Sequence, residues 1–261
     1  MDQQQFDDKY SDFYDLLYKD KNYKDEALFI DKLITGYYNQ QKEIQLLDLA
    51  CGTGRHLDEL HNIGYVQLSG SDISGSMIKV AEERFKTQGK SVKLYNSSFQ
   101  KSNEIPGEYD VVISMFSAVN YIINYQDQVL SFRNIYNLLK KGGVFIFDFW
   151  NGNAVVDHYS PVKVVRKKEG DKEIQRISET SIDTITQDVT VKFTCSLYEQ
   201  EKRELEFIES HNLHYYYFPE IKNLLYQTGF SVDKICPFMN ADAEVNPMDW
   251  NIAVVAKKGN K

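Results

Sequence analysis

Between residues 24 and 150 the hydrophobic pattern switches back and forth between a helical and a strand period. Phe29, Ile30, Leu33, Ile34, Tyr37 and Tyr38 share one face of a 3.6-residue repeat, which predicts an amphipathic helix. The apolar run Ile44 to Ala50 is short enough for a buried strand. Gly52-Thr53-Gly54 turns it into a helix that carries Leu57 and Leu60 and closes near Gly64. Val66 to Asp72 predicts a second strand, and Ser74 is placed to cap a helix with Met77, Ile78, Ala81 and Phe85 on its inner face. Further strands are expected at Val92 to Tyr95 and Tyr109 to Met115, followed by a helix with Val129, Phe132, Tyr136 and Leu139 inward. Gly142-Gly143 stops that helix ahead of a fifth strand, Val144 to Phe149. A chain that alternates in this way builds a parallel sheet with crossover helices.

The pattern changes after Trp150. Val189, Val191, Phe193, Cys195 and Leu197 alternate with Thr190, Lys192, Thr194 and Ser196, so this strand has one buried and one wet face. Polar turns at Glu169-Gly170-Asp171, Thr184 to Asp188 and Glu199 to Glu204 separate it from other β-rich segments, and residues 161–217 are expected to form an antiparallel β insertion. Helical periodicity returns at Pro219 to Gly229, and Val232 to Cys236 and Ile252 to Ala256 read as two closing strands. The main domain then comprises residues 1–160 and 218–261.

Charge and cysteine usage narrow the class of partner. Lys and Arg total 30 against 38 Asp and Glu, a net charge of -8, so nothing draws in a nucleic acid by charge. Met1-Asp2-Gln3-Gln4-Gln5 lacks the basic start of a signal peptide, and the longest uncharged stretch, Val111 to Gln126, is too short and polar to cross a bilayer. Cys51, Cys195 and Cys236 are far apart, with no pairing or metal-ligand spacing, so neither a disulfide framework nor a metal site is expected and a cytoplasmic location fits. The 18 tyrosines exceed what a core needs and suggest a tyrosine-lined pocket.

Chemistry concentrates in Leu47-Asp48-Leu49-Ala50-Cys51-Gly52-Thr53-Gly54, a strand entering a glycine turn that opens a helix. Such a turn admits a ligand close to the backbone, and the helix start offers free N–H groups. The third position of a GxGxxG pattern is Leu57, which disfavours a dinucleotide site. Asp72 lies 18 residues after Gly54, at the carboxyl end of the second strand, where a carboxylate accepts both hydroxyls of a ribose. Asp48, the glycine turn and Asp72 together resemble the nucleoside site of class I S-adenosylmethionine-dependent methyltransferases. The resemblance implies an α/β fold: a seven-stranded Rossmann-like methyltransferase sheet interrupted by the antiparallel insertion, which would cover the acceptor site. It also implies S-adenosylmethionine as cofactor, with Asp48 near the methionine ammonium, Gly52 and Gly54 making room, and Asp72 on the ribose. Ala50, Ile73, Met77, Ser98, Phe99 and Met115 would complete the cofactor pocket.

A narrower similarity spans nearly the whole chain. Tyr14-Asp15-Leu16 followed by Tyr23, then LDLACGTG, Val112 to Tyr121, Phe147-Asp148-Phe149-Trp150 and Glu209-Ser210-His211 resemble the N-methyltransferases of nucleotide-linked aminosugars. That resemblance places Tyr14 and Tyr23 on the cofactor and Tyr121, Asn120 and Trp150 against the acceptor. Two departures stand out: Ser97-Ser98-Phe99 replaces the family's Gly-Asp-Met, and Val245 to Trp250 lacks the Arg that holds a sugar diphosphate. Arg166, Lys167, Lys168 and Arg176 are candidates to replace it, although four cations on a strand pair are ordinarily a solvated face. His56 and His61 read as surface or helix-end residues, and among His158, His211 and His214 the second is favoured for proton removal, with Tyr121 orienting the nucleophile. The expected reaction is methyl transfer to the amine of a nucleotide-linked aminosugar. The alternatives are O- or N-methylation of another small metabolite and a non-catalytic S-adenosylmethionine-binding protein.

Overall fold

The computed structural model describes residues 21–39, 42–200 and 202–259. Helix α1 (Tyr23–Tyr38) starts where the Asn22 side chain accepts the Asp25 N–H, and it buries Ala27, Ile30, Leu33 and Ile34. Strand β1 (Gln45–Leu49), helix α2 (Arg55–Asn62), strand β2 (Gln67–Asp72), helix α3 (Gly75–Gln88) and strand β3 (Lys93–Asn96) follow as two crossover units. The Ser74 hydroxyl accepts the Met77 N–H at the start of α3, and Met77, Ile78, Ala81 and Phe85 are its buried face, as the sequence predicts. Strand β4 (Tyr109–Ser114), helix α4 (Tyr125–Leu138) and strand β5 (Leu139–Trp150) form the next unit. After a short helix α5 (Gly152–His158) come β6 (Val162–Glu169), β7 (Lys172–Asp183), β8 (Asp188–Glu199) and β9 (Lys202–His214), and the chain closes with α6 (Phe218–Gln227), β10 (Phe230–Pro237) and β11 (Asn251–Lys258).

Seven strands form a mixed sheet in the order β10-β11-β5-β4-β1-β2-β3, and β6-β7-β8-β9 form a separate sheet. Strands β1, β2, β3, β4 and β5 pair parallel, whereas β11 runs antiparallel between β5 and β10. Successive residues of the central strands feed two cores on opposite faces. Leu46, Val111, Ile113 and Ile146 pack with α1, α2 and α3, while Leu47, Val112, Phe145 and Phe147 pack with α4 and α6. Burial on both faces explains why these strands read as continuous apolar runs. The chain order reverses between β1 and β4, and the crevice at the carboxyl ends of those strands is where open α/β sheets bind ligands.

The insertion is antiparallel throughout, in unbroken register from Val162↔Glu179 to Glu199↔Lys202 apart from one irregularity at Leu197/Tyr198. An isolated bridge between Asn151 and Tyr216 ties its exit to the end of β5. Two expectations shift. Gln128, Ile135 and Leu138 are buried on α4 beside the expected Phe132, while the expected Val129 and Tyr136 pack against the same core half-buried, and the Gln128 amide donates to the Ile122 carbonyl at 2.9 Å. Leu139 leaves the helix and pairs with Tyr109 at the start of β5. Among the described residues, no helix is long and apolar enough to cross a membrane.

Candidate active site

One cavity of about 790 Å³ opens at the carboxyl ends of β1, β2, β4 and β5 and continues under the four-stranded sheet. Its first part is built by the glycine turn. Ala50 and Gly52 both have positive φ, and the Gly52 N–H donates to Asp72 Oδ2 at 2.9 Å. The Ser74 N–H donates to Asp72 Oδ1 at 2.8 Å, so two backbone donors fix the carboxylate at the end of β2. Burial raises the Asp72 pKa, and those N–H groups oppose the shift. Tyr23, Ala50, Gly52, Asp72, Ile73, Met77, Ser98, Phe99 and Met115 all line this part.

Other sequence-predicted residues lie elsewhere. Gly54 does not line the cavity. Its φ is +76°, and a Cβ there would meet the Phe85 ring at 2.9 Å, so its glycine serves the packing of the turn against α3. Asp48 lies behind the wall, 1% exposed, with no hydrogen-bond partner at Oδ2. Burial lifts its carboxyl well above the usual range, the nearby Asp72 charge adds to this, and the Lys21 ammonium opposes it. Tyr14 lies outside the described residues.

Several residues at this end were not anticipated. The Lys21 ammonium bonds Glu26 at 2.6 Å and sits 4.1 Å from the Phe116 ring centroid and 4.3 Å from that of Tyr23. Burial pushes Lys21 below its ordinary value, and Glu26, Asp148 and Asp48 pull the other way. His56 sits at the start of α2 but is 7% exposed, lines the cavity and meets Glu26 at 2.6 Å, which corrects the surface half of its surface or helix-end reading. Asp148 is fully buried in β5 and takes bonds from the Ser117 N–H, the Ser117 hydroxyl and the Asn251 amide. Through them it holds Phe116 and Ser117 in left-handed backbone conformations at the end of β4. A carboxylate inside the apolar run Val144 to Phe149 was the available signal for this residue.

The second part of the cavity lies under the insertion. Tyr121 and Trp150 line it from the sheet side, and Arg176, Val191, Phe193 and His211 line it from β7, β8 and β9. Tyr121 Oη lies 3.1 Å from His211 Nδ1, and Trp150 makes an edge contact with Trp250 at 5.6 Å between centroids. Asn120 is a correction. It is fully buried and absent from the wall, its amide donating to the His214 carbonyl at 2.7 Å and its oxygen accepting the Trp150 N–H at 3.3 Å, so it braces the seam. Arg176 is a second correction. It is half-buried and lines the cavity over the Phe193 ring at 4.7 Å, while Arg166 and Lys168 remain solvated. His158 is exposed at the cavity mouth, whereas His214 faces Glu220 and Asp188. Tyr215 and Tyr216 are fully buried and serve packing, with Tyr216 donating to the Val119 and Ile122 carbonyls.

The residues present fit S-adenosylmethionine. A carboxylate fixed by two backbone donors lines the cavity at Asp72, where a ribose can be held, and apolar side chains of Ile73, Met77 and Phe99 line the wall beside it. Comparison with known proteins agrees. Residues 46–143 match the family described as a methyltransferase domain. A Geobacillus sp. (strain WCH70) protein named as a methyltransferase is 24% identical over 248 residues, 94% of this chain and 97% of the relative. A dTDP-3-amino-3,4,6-trideoxy-alpha-D-glucopyranose N,N-dimethyltransferase of Streptomyces venezuelae is 26% identical over 161 residues, 60% of this chain and 65% of that protein. The crystal structure of an S-adenosylmethionine-dependent methyltransferase from Clostridium acetobutylicum ATCC 824 superposes with a TM-score of 0.82 at 23% identity, covering 96% of this chain and 98% of the other. The chain carries a methyltransferase domain on the S-adenosylmethionine-dependent methyltransferase fold.

Proposed function

We propose that the chain methylates the amine of a small molecule, a nucleotide-linked aminosugar. The observation that carries this reading is the continuity of the cavity: its ribose-binding end at Asp72 opens directly into a chamber walled by Tyr121, Trp150, His211 and Arg176. S-adenosylmethionine, when bound, supplies a methyl group on a sulfonium. Asp72 holds the ribose, Asp48 balances the methionine ammonium, and Ile73, Met77 and Phe99 flank the adenine. Holding the amine in line with the methyl group supplies most of the acceleration, because a fixed near-attack geometry replaces a bimolecular encounter. The insertion excludes water from the chamber, and the aromatic face of Trp150 favours the ammonium that forms. Arg176, which together with the exposed Lys163 faces the cavity from the insertion, supplies the cationic contact for a diphosphate that the Val245 to Trp250 loop does not carry. The Streptomyces venezuelae relative, named for a dTDP-aminosugar, supports the same acceptor class.

The test is release of S-adenosylhomocysteine across a panel of acceptors: nucleotide-linked aminosugars, the same sugars bearing hydroxyl in place of the amine, and free amino acids. Release with the amino compounds and not with their hydroxyl counterparts is expected. Equal release with both, or release with the amino acids alone, would overturn the acceptor assignment.

A further inference from the structure

The chamber contains a hydrogen-bonded chain longer than the Tyr121 and His211 pair. His211 is 1% exposed, and both of its ring nitrogens are engaged: Nδ1 lies 3.1 Å from Tyr121 Oη, and Nε2 lies 3.1 Å from Glu209 Oε2. Glu209 is itself 6% exposed and sits two residues away on the same face of β9. Phe193 packs on the imidazole at 4.8 Å and Tyr121 meets it edge-on at 5.9 Å, so the ring cannot turn without disturbing both neighbours. A carboxylate accepts only, so His211 must carry its proton on Nε2 toward Glu209, which leaves Nδ1 to accept from the Tyr121 hydroxyl.

We propose that Glu209, His211 and Tyr121 form a proton relay in which Tyr121 touches the acceptor amine and Glu209 is a positioning residue acting through His211. The proposal rests on the methyl-transfer reading above. An acceptor ammonium gives its proton to the Tyr121 oxygen as the phenol proton moves to His211 Nδ1. The neutral amine attacks the methyl group, the carbon–sulfur bond breaks, and its electron pair stays on sulfur. The proton left on the imidazolium, beside the Glu209 carboxylate, returns to water after product leaves. Arrangements of this kind place a buried carboxylate behind a histidine to fix its tautomer and stabilise its cation.

The charged groups around the imidazole come from every strand of the insertion. Arg176 on β7 lies across the Phe193 ring, and Cys195 on β8 is close to both Arg176 and Glu209, its thiol pushed up to about 11 by burial, with Arg176 opposing and Glu209 adding to the shift. Lys163 on β6 and His158 at the end of α5 line the same cavity farther out.

The test uses the full chain saturated with S-adenosylhomocysteine and carrying nitrogen-15 histidine, with the His211 resonances assigned by their loss in His211→Gln. The wild type is expected to show the Nε2–H tautomer, and Glu209→Gln to release the imidazole into a mixture of both tautomers, with partial recovery of the Nε2–H form in Glu209→Asp. In turnover, Glu209→Gln and Tyr121→Phe are each expected to cost at least about tenfold, with cofactor affinity unchanged, and their combination to cost no more than about twofold beyond the worse single variant. An unchanged Nε2–H tautomer in Glu209→Gln, or losses that multiply in the double variant, would overturn the relay. The nuclear resonance arm needs no acceptor: the predicted change of tautomer in a protein that turns over no aminosugar would retain the relay and discard the acceptor class.

Discussion

Replacing Asp72 with Asn tests the cofactor site with almost no change in shape. The carboxylate accepts from the Ser74 N–H at 2.8 Å and the Gly52 N–H at 2.9 Å, one on each oxygen, and lines the cavity with the lone pairs that remain. An amide has a single accepting oxygen, so its NH2 group must face one of these backbone donors and one ribose hydroxyl loses its acceptor. A hydrogen bond to a charged group is worth about 1.5–3 kcal/mol, which corresponds to roughly ten- to a hundredfold weaker cofactor binding. The stability cost is smaller than the binding cost, because burial disfavours the charged form of Asp72 and the amide removes that charge. Calorimetric titration with S-adenosylmethionine and S-adenosylhomocysteine, paired with thermal denaturation, separates the two. Wild-type affinity in Asp72→Asn would refute the assignment of the ribose to this carboxylate.

Asp48→Asn is expected to stabilise the ligand-free protein at neutral pH by about 2–4 °C, the shift for ~1 kcal/mol in a chain of this size, while weakening the cofactor about tenfold. Asp48 binds its proton at higher pH folded than unfolded, so its charge subtracts stability at neutral pH and the loss is recovered as pH falls through the raised value toward about 3.9. Melting curves across that range should show the advantage of Asn shrinking with acid; an advantage independent of pH would refute the argument. Gly54→Ala should cost about 2–5 kcal/mol in denaturant unfolding, combining a left-handed backbone with a Cβ placed 2.9 Å from Phe85; a loss under about 1 kcal/mol would show that the turn relaxes freely.

Periodicity carried the sheet because each central strand is buried on both faces and each crossover helix on one, so composition and position coincide. It failed where a polar side chain is buried by bonding to backbone. Gln128 joins the inner face of α4, and Asn151, which caps α5, marked a helix that the pattern after Trp150 did not suggest. The glycine turn and Asp72 were legible because ligand approach restricts residue type at adjacent positions. Lys21, Glu26, His56 and Asp148 were not, since they meet across α1, α2 and β5 and no local spacing relates them. Arg176 and Glu209 belong to the same class: a charged residue on a strand reads as solvated until a neighbouring sheet covers it.

The proposed reaction passes a methyl group to the nitrogen of a nucleotide-linked aminosugar held beneath the insertion. It is tested most directly by incubating the full chain with S-adenosylmethionine carrying a trideuteromethyl group and a dTDP-linked aminosugar, then locating the label by tandem mass spectrometry. The label is expected on the sugar nitrogen. Label on a sugar oxygen, or an unlabelled sugar recovered from protein that binds the cofactor, would contradict it.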